Sequence, residues 1–206
     1  MTEPHEIPIE PDRRMNVTAA LEVLARARTD RHIVVTNQGS ARVWPQIANH
    51  PLDFHYVPST MGGAIPFALG LALAKPDYGV IVVSGDGSLL MSLGCLVTVA
   101  ASQAANISIV LIDNGVYEVT GGQKTPASTT DVDYAGLARA AGFPNVAHFW
   151  DEGDWQRRGP LVLAERGPRF IWLQAEPMRG GYGPTSMSPL VEQVERLRQE
   201  LMPNPK

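Results

Sequence analysis

The chain has 206 residues, with 44% apolar and 18% charged residues, which is typical of a globular protein that has room for one well-packed domain. The net charge of −4 and the lack of a dense Lys/Arg cluster argue against nucleic acid as a partner. The single cysteine, Cys95, excludes an intrachain disulfide and an iron–sulfur cluster held by this chain's thiolates alone. No apolar stretch approaches the ~18 residues of a membrane span, and the N-terminus lacks the apolar core of a signal peptide. We therefore expect a cytoplasmic protein that does not bind membranes.

The apolar patterns predict strands that alternate with helices along the chain. Helices are predicted from residue 16 or 18 to 28, over 67–75, 89–105 and 133–141, between the last two strands, and over 190–201. Buried-strand patterns cover 32–36, 80–84, 107–112, 146–149 and 170–173. The segment 44–58 is predicted to be irregular, and 120–126 to be a mobile loop. This order implies βαβ units, so we predict an α/β fold with a single doubly wound parallel sheet and helices on both faces.

Three parts of the chain are distinguished by composition. Residues 1–14 form a Pro-bearing N-terminal arm, residues 15–175 contain the predicted sheet and its helices, and residues 176–206 form a Gly/Pro-rich loop followed by the C-terminal helix. We expect the middle part to be the functional domain.

Two predicted strands end in polar turns that carry potential ligand groups. One strand runs into Gly85-Asp86-Gly87-Ser88, and the next runs into Asp113-Asn114-Gly115-Val116-Tyr117. Asn114 follows Asp86 by 28 positions, which leaves room for one helix and one returning strand. Both side chains then lie at the carboxyl edge of the sheet, where ligands bind in open α/β folds. A carboxylate and an amide oxygen suit a hard divalent cation, and the glycines allow a phosphate to approach the backbone.

This pair of turns resembles the thiamine diphosphate-dependent enzymes, whose diphosphate-binding domain carries Gly-Asp-Gly followed by a strand-end Asn. The chain departs from the pattern at Asp113, where many members have a first Asn. The resemblance implies the thiamine diphosphate-binding fold, with thiamine diphosphate and Mg²⁺ as cofactors. It further implies that the Asp86 carboxylate, the Asn114 side-chain oxygen and the Val116 carbonyl bind the metal. The residues of these turns implied to contact the cofactor are Gly85, Gly87, Ser88 and Tyr117.

Two further segments are similar to parts of the same cofactor site. The stretch Ser59-Thr60-Met61-Gly62-Gly63-Ala64-Ile65-Pro66 resembles the segment that holds the cofactor's aminopyrimidine. There Met61 would wedge beneath the cofactor and bend it, while the Met61 N–H and the Ser59 carbonyl bind the pyrimidine edge. The alternative is that Met61 is a core residue. The turn after the first strand, with Gln38, Gly39 and Ser40, would help to hold the diphosphate; alternatively it is an ordinary polar turn.

The loop after the second turn indicates a substrate class. It is similar, over residues 116–123, to the corresponding loop of phosphonopyruvate and sulfopyruvate decarboxylases, which handle a 2-oxo acid with a second strong anion. Gly121 and Gly122 would allow the loop to close, and Gln123 and Lys124 would face the anionic tail of a small 2-oxo acid. The alternative is a solvated surface loop.

The resemblance also implies a partner. In the family, a Glu from a pyrimidine-binding domain reaches the cofactor across a subunit interface, and this chain is too short to hold both domains. Glu118, beside the metal turn, is badly placed for that role. Because sulfopyruvate decarboxylase makes the two domains as separate chains, we expect a β-type subunit of a hetero-oligomer, paired with a pyrimidine-binding α-type subunit.

Three other functions remain open. The same motifs fit a subunit of an acetolactate-synthase-like carboligase. A 2-oxo acid oxidoreductase β subunit is disfavoured by the single cysteine, unless a partner chain carries the clusters. A non-catalytic phosphate-binding module could use the same fold, since fold alone does not determine function. Cys95 itself lies in a predicted apolar helix, where we expect it to be a small buried residue.

Overall fold

The computed structural model describes residues 14–58, 60–178 and 187–202. In these ranges α-helices and β-strands alternate along most of the chain. The helices are α1 Val17–Ala27, α2 Gln38–Ile47, α3 Ala64–Ala74, α4 Asp86–Leu90, α5 Cys95–Ser102, α6 Tyr134–Ala141, α7 Glu152–Ala164 and α8 Leu190–Leu201. The strands are β1 His32–Asn37, β2 Asp53–Tyr56, β3 Gly79–Gly85, β4 Ile107–Asp113, β5 Val116–Tyr117, β6 Gln123–Lys124, β7 Asn145–Phe149 and β8 Arg169–Gln174.

Six of the strands form one parallel sheet in the order β2-β1-β3-β4-β8-β7. The strands β1 and β3 are neighbours, but the chain leaves β1 towards β2 and leaves β3 towards β4. The strand order therefore reverses between β1 and β3, which is where doubly wound sheets open a crevice at their carboxyl ends. The two remaining strands, β5 and β6, pair as a short antiparallel hairpin.

The core lies in two layers, one on each face of the sheet. Alternate residues of each strand point to opposite faces, so Ile33 and Val35 of β1 belong to one layer and Val34 to the other. The first layer packs against α3, α5, α6 and α8, and the second packs against α1, α2 and α7. This confirms the predicted α/β fold with helices on both faces.

Several helix ends are determined by local sequence. The Asn16 side chain caps α1 by accepting the backbone N–H of Thr18 at 2.9 Å. Asp133 caps α6 by accepting the N–H of Gly136 at 2.8 Å, and α6 ends at Gly142, whose φ of +101° suits glycine. The last helix, α8, covers the β2 edge of the sheet, where its Gln193 Oε1 accepts the His55 N–H at 2.7 Å.

The expectation of irregular chain over residues 44–58 is wrong in part. The helix α2 continues to Ile47 and contains Pro45 near its end, and the buried strand β2 follows. The polar turn expected at residues 37–40 is the start of α2. The prolines at 45, 51 and 58 suggested irregular structure, but only residues 48–52 and 57–58 of this segment lie outside the two elements.

The single long helix expected over residues 89–105 is also wrong. The chain forms two helices, α4 and α5, separated by a turn over residues 91–94 that contains Gly94. In this turn the Ser92 hydroxyl donates to the Gly62 carbonyl at 2.9 Å, a contact that a continuous helix would not direct there. Cys95, expected to be buried, is half-buried at the start of α5, and burial raises the pKa of its thiol.

The expected N-terminal arm falls almost wholly outside the described residues, as does much of the Gly/Pro-rich loop. Across the ranges that the structure describes, no helix combines the length and the apolar character needed to cross a bilayer.

Candidate functional site

A cleft that opens to solvent lies at the carboxyl ends of β1, β3 and β4. Its walls are the turns that follow these three strands, the Met61 side chain and the start of the β5–β6 hairpin. The structure brings to this one cleft all the cofactor and metal residues predicted from sequence that it describes. They are Gln38, Gly39, Ser40, Met61, Gly85, Asp86, Gly87, Ser88, Asn114, Val116 and Tyr117. Ser59 lies outside the described residues.

The Asp86 carboxyl group is buried in the cleft and is influenced by a second carboxyl group nearby. Asp86 is 1% exposed, and burial together with the nearby Asp113 carboxylate raises the pKa of Asp86 to about 6. Burial also raises the pKa of Asp113, which accepts a hydrogen bond from Trp172 Nε1 at 2.9 Å. A buried carboxylate with a second carboxylate nearby favours a bound cation, because a cation stabilises its ionised form.

Asn114 and Val116 share one tight turn beside Asp86. The Asn114 Oδ1 accepts the Val116 N–H at 3.0 Å, and Gly115 adopts a φ of +72° that lets the chain turn there. The described residues contain no cluster of three or more His, Cys, Asp or Glu side chains that could hold a metal ion. A cation at this edge would therefore use mixed oxygen donors, namely a carboxylate, an amide and a main-chain carbonyl. Such an all-oxygen set fits Mg²⁺.

The Tyr117 ring leaves no room for a side chain at residue 87. A Cβ atom on Gly87 would lie 2.4 Å from Cε1 of Tyr117, so only glycine allows the tyrosine ring to pack on this turn.

Asn37, the last residue of β1, is a lining residue that the sequence reasoning did not select. It is fully buried, and its Nδ2 donates to Ser88 Oγ at 3.0 Å, while its Oδ1 has no hydrogen-bond partner among the described residues. The neighbouring Ser40 lines the cleft, but its hydroxyl donates to the Asn37 carbonyl at 2.8 Å. Gln38 has a φ of +50°, a strained conformation that is often found at functional sites. The signal for Asn37 was its position at a strand end.

Met61 is half-buried and lines the cleft, so the alternative that it is a core residue does not describe its position. The following residue, Gly62, is held in place by two side chains. Its N–H donates to Ser88 Oγ at 3.0 Å, and its carbonyl accepts the Ser92 hydroxyl. The predicted pyrimidine segment is therefore fastened directly to the predicted diphosphate turn.

The four residues predicted to meet the substrate are not brought to the cleft. Gly121, Gly122, Gln123 and Lys124 are exposed at the far end of the hairpin, with φ values of +124° and +75° at the two glycines. The loop instead contributes Glu118, Val119 and Thr120, which the sequence reasoning did not select although they lie in the same loop. Among the described lining residues there is no Lys, Arg or His. Within the loop predicted over residues 120–126, Gln123 and Lys124 form the second strand of the hairpin.

The sequence and structure were compared with known proteins. The family model described as thiamine pyrophosphate enzyme, C-terminal TPP binding domain, matches residues 19–171. The sulfopyruvate decarboxylase subunit beta of Methanothermobacter thermautotrophicus is 39% identical over 146 residues, which are 70% of this chain and 74% of that subunit. The phosphonopyruvate decarboxylase of Streptomyces viridochromogenes is 38% identical over 160 residues, which are 77% of this chain but only 39% of that protein.

A solved structure has the same fold at lower sequence identity. The benzoylformate decarboxylase from Polynucleobacter necessarius superposes with a TM-score of 0.65 at 18% identity, covering 86% of this chain and 35% of that one. Because the family model spans most of the chain and includes every described residue of the cleft except Val17, the chain belongs to the thiamine pyrophosphate enzymes and contains their C-terminal TPP-binding domain.

Proposed function

We propose that the chain is the β-type subunit of a two-component thiamine diphosphate-dependent decarboxylase that acts on a small anionic 2-oxo acid. The observation that carries this proposal is the grouping of Asp86, Asn114 and Val116 around one cleft, at the strand-order reversal of a domain from this family. The similarity to sulfopyruvate and phosphonopyruvate decarboxylases supports the reaction class.

In this proposal the Asp86 carboxylate, the Asn114 side-chain oxygen and the Val116 carbonyl hold Mg²⁺. The metal neutralises the acidic turn, which would otherwise repel a diphosphate. The backbone around Gly87 and Ser88 donates N–H groups to the diphosphate oxygens. The raised pKa of Asp86 supports a cation at this position, since a buried carboxylate without one is costly to ionise.

The remaining cleft residues orient the rest of the cofactor. We assign Gly85 and Tyr117 to the wall along the diphosphate, and Gln38, Gly39 and Ser40 to the wall at the end of β1. Met61 supports the middle of the cofactor from below, and Ser59 and the Met61 N–H hold its aminopyrimidine. Once bound, thiamine diphosphate supplies the electron sink that loss of carbon dioxide requires. The protein contributes a fixed orientation and excludes water.

The hairpin is the proposed substrate element. Gly121 and Gly122, both at positive φ, permit a movement that brings Gln123 and Lys124 over the cleft. The movement would add a positive charge to a cleft whose described lining includes the acidic Glu118 and Asp86 and no cation. The names of two relatives contain phosphonopyruvate and sulfopyruvate, which each carry a second strong anion. A substrate of this kind needs the positive charge of Lys124.

A partner subunit completes the site in this proposal. We infer a pyrimidine-binding α-type subunit that supplies the catalytic Glu, because Glu118, the Glu that lines the cleft, already accepts the N–H of Met178. The relatives whose names include subunit beta support a hetero-oligomer.

Calorimetric titration of the full chain with thiamine diphosphate, with and without Mg²⁺, tests the cofactor assignment. We expect thiamine diphosphate to bind the unmodified chain more tightly when Mg²⁺ is present. In Asp86→Asn and Asn114→Ala, Mg²⁺ should no longer strengthen this binding. The exposed Asp77→Asn variant is the matched control and should bind like the unmodified chain. Binding that is independent of Mg²⁺, or unchanged in both site variants, would refute the assignment.

Reconstitution tests the split site. We expect no turnover of sulfopyruvate or phosphonopyruvate by this chain alone, and release of carbon dioxide and an aldehyde when an α-type subunit is added. Full activity of the chain alone would refute the need for a partner. Formation of a 2-hydroxy ketone would support the carboligase alternative, and a strict need for an electron acceptor would support the oxidoreductase. The oxidoreductase alternative is also supported by a relative: the 2-oxoglutarate synthase subunit KorB of Archaeoglobus fulgidus is 34% identical over 135 residues.

A further inference from the structure

Thr125 connects the hairpin to the centre of the cleft. It follows directly after β6, and its side chain is completely buried although the four residues before it are exposed. Its hydroxyl donates to Asp86 Oδ2 at 2.8 Å. Thr125 does not line the cleft itself, so its hydroxyl acts on a ligand through Asp86.

The Thr125 hydroxyl is held in a fixed position by the backbone around it. The Thr125 N–H donates to the Gly115 carbonyl at 2.9 Å, inside the turn that carries Asn114 and Val116. The Thr125 carbonyl accepts the N–H of Ser128 at 3.1 Å and the Ser128 hydroxyl at 2.8 Å. These bonds leave the residue little freedom to move, so the direction of its hydroxyl is set before any ligand binds.

The bond from Thr125 adds a contact that comes from a distant part of the chain. The other hydrogen bonds to the Asp86 carboxylate come from the backbone N–H groups of Asp86 and Gly87, within the same turn. Thr125 supplies the contact from outside the turn, and it engages Oδ2. This bond restrains the rotation of the carboxylate, so that its oxygens face a ligand in a fixed direction. A carboxylate that is held in this way loses less entropy when it binds a cation.

We propose that Thr125 is a positioning residue that orients the Asp86 carboxylate for Mg²⁺ and thereby sets the metal affinity of the site. This inference rests on the proposed function, since it assumes that Asp86 is a ligand of the metal. It adds a residue that neither the motifs nor the cleft lining includes. It also connects the metal to the hairpin, because Thr125 directly follows the hairpin's second strand.

The test removes the hydroxyl while keeping the shape of the side chain. Thr125→Val is compared with Thr125→Ser, which restores the hydroxyl, and with Thr129→Val, the same change at an exposed threonine of the same loop. For each full-length protein, the Mg²⁺ concentration that half-saturates thiamine diphosphate binding is measured by calorimetry. Thermal unfolding of the metal-free proteins shows that each is folded. If the valine variant does not fold, Thr125→Ala replaces it.

We expect Thr125→Val to need about 10- to 100-fold more Mg²⁺ for half-saturation, the effect typical of a group that orients a metal ligand. At saturating Mg²⁺ its binding capacity for thiamine diphosphate should equal that of the unmodified chain. Thr125→Ser and Thr129→Val should both behave like the unmodified chain. An unchanged Mg²⁺ requirement in the valine variant overturns the inference alone, and so does a serine variant as weak as the valine variant. Failure of the unmodified chain to bind Mg²⁺ with the cofactor overturns the proposed function as well.

Discussion

Asn37 at the end of β1 is hydrogen-bonded to Ser88 in α4, with 3.0 Å between Asn37 Nδ2 and Ser88 Oγ. The same hydroxyl oxygen accepts the N–H of Gly62 at 3.0 Å. Ser88 thus joins the turn after the first strand, the turn after the third strand and the segment that carries Met61. Three stretches that are far apart in the sequence share one buried acceptor, and this acceptor fixes the relative position of three walls of the cleft.

Replacing Ser88 with Ala should therefore weaken the fold at the cleft. The change leaves the Asn37 amide and the Gly62 N–H without their acceptor in a buried place, which should lower the free energy of unfolding by about 1–3 kcal/mol. Chemical denaturation measures this loss, and hydrogen exchange should show a faster-exchanging Gly62 amide. Ser102→Ala is the control, because the Ser102 hydroxyl donates to Val99 within the same helix. Equal losses in both variants would show that the shared acceptor has no special role.

Gly87→Ala should affect both stability and cofactor binding. The added methyl group would lie 2.4 Å from the Tyr117 ring, so the ring or the turn must shift. This shift should lower the free energy of unfolding by about 1–3 kcal/mol. Gly94→Ala is the matched control, since a Cβ there meets no atom within 4 Å. In a protein that also carries Tyr117→Ala, Gly87→Ala should lower the free energy of unfolding by a smaller amount. A double-mutant cycle of unfolding free energies measures this difference. Equal costs in the two backgrounds would rule out the steric explanation.

Asp53, at the start of β2, forms a buried ion pair with Arg28, which directly follows α1. Loss of this pair should determine how much Asp53→Ala destabilises the protein. Asp53 is 2% exposed, pairs with the Arg28 guanidinium, and accepts Trp44 Nε1 at 3.0 Å. Its removal leaves the Arg28 charge buried without its partner, which typically costs about 3–5 kcal/mol. Urea unfolding measures the change. The fully exposed Asp30 provides the control, because Asp30→Ala should leave the unfolding midpoint unchanged. A similar midpoint for the two variants would contradict the prediction.

His55 should make the protein less stable in mild acid. The residue is 8% exposed, and burial lowers its pKa below the usual value of 6.5, so the folded state favours the neutral ring. The unfolded state then binds more protons, and stability present above the ordinary pKa is lost as the pH falls towards the folded pKa. Between pH 7.5 and 5.5 the free energy of unfolding should fall more steeply in the unmodified chain than in His55→Asn, by at most about 1.4 kcal/mol per pH unit. His32 and His148 remain in both proteins, so the difference isolates His55. Parallel curves would refute the assignment.

The sequence predicted well those elements whose causes are local. Asn16 and Asp133 mark helix starts because each side chain accepts an N–H two or three residues away, and Gly142 ends α6 because glycine tolerates positive φ. The apolar runs of β3 and β4 could be recognised because a strand buried on both faces shows no alternation. These signals lie within a few residues of one another, so a single sequence contains them.

The strand β2 was missed because its stabilising contacts are distant in sequence. Its four residues include Asp53 and His55, which look like loop residues until their partners are known. Asp53 is stabilised by Arg28, and His55 by Thr36 and Gln193, so polar side chains can be buried in a strand. No local pattern contains this information.

The amino-acid sequence alone established the βαβ architecture, the helix starts and the two polar turns with Asp86 and Asn114. Each of these features depends on residues that are neighbours in the sequence. Only the tertiary structure decided that Asn37 and Ser88 share a hydrogen bond, that Thr125 holds the Asp86 carboxylate, and that the hairpin keeps Lys124 away from the cleft. Those contacts depend on the register of parallel strands and on the path of the loops between them. Register is set by the packing of the whole sheet against its two helical layers, and no segment of the sequence specifies it alone.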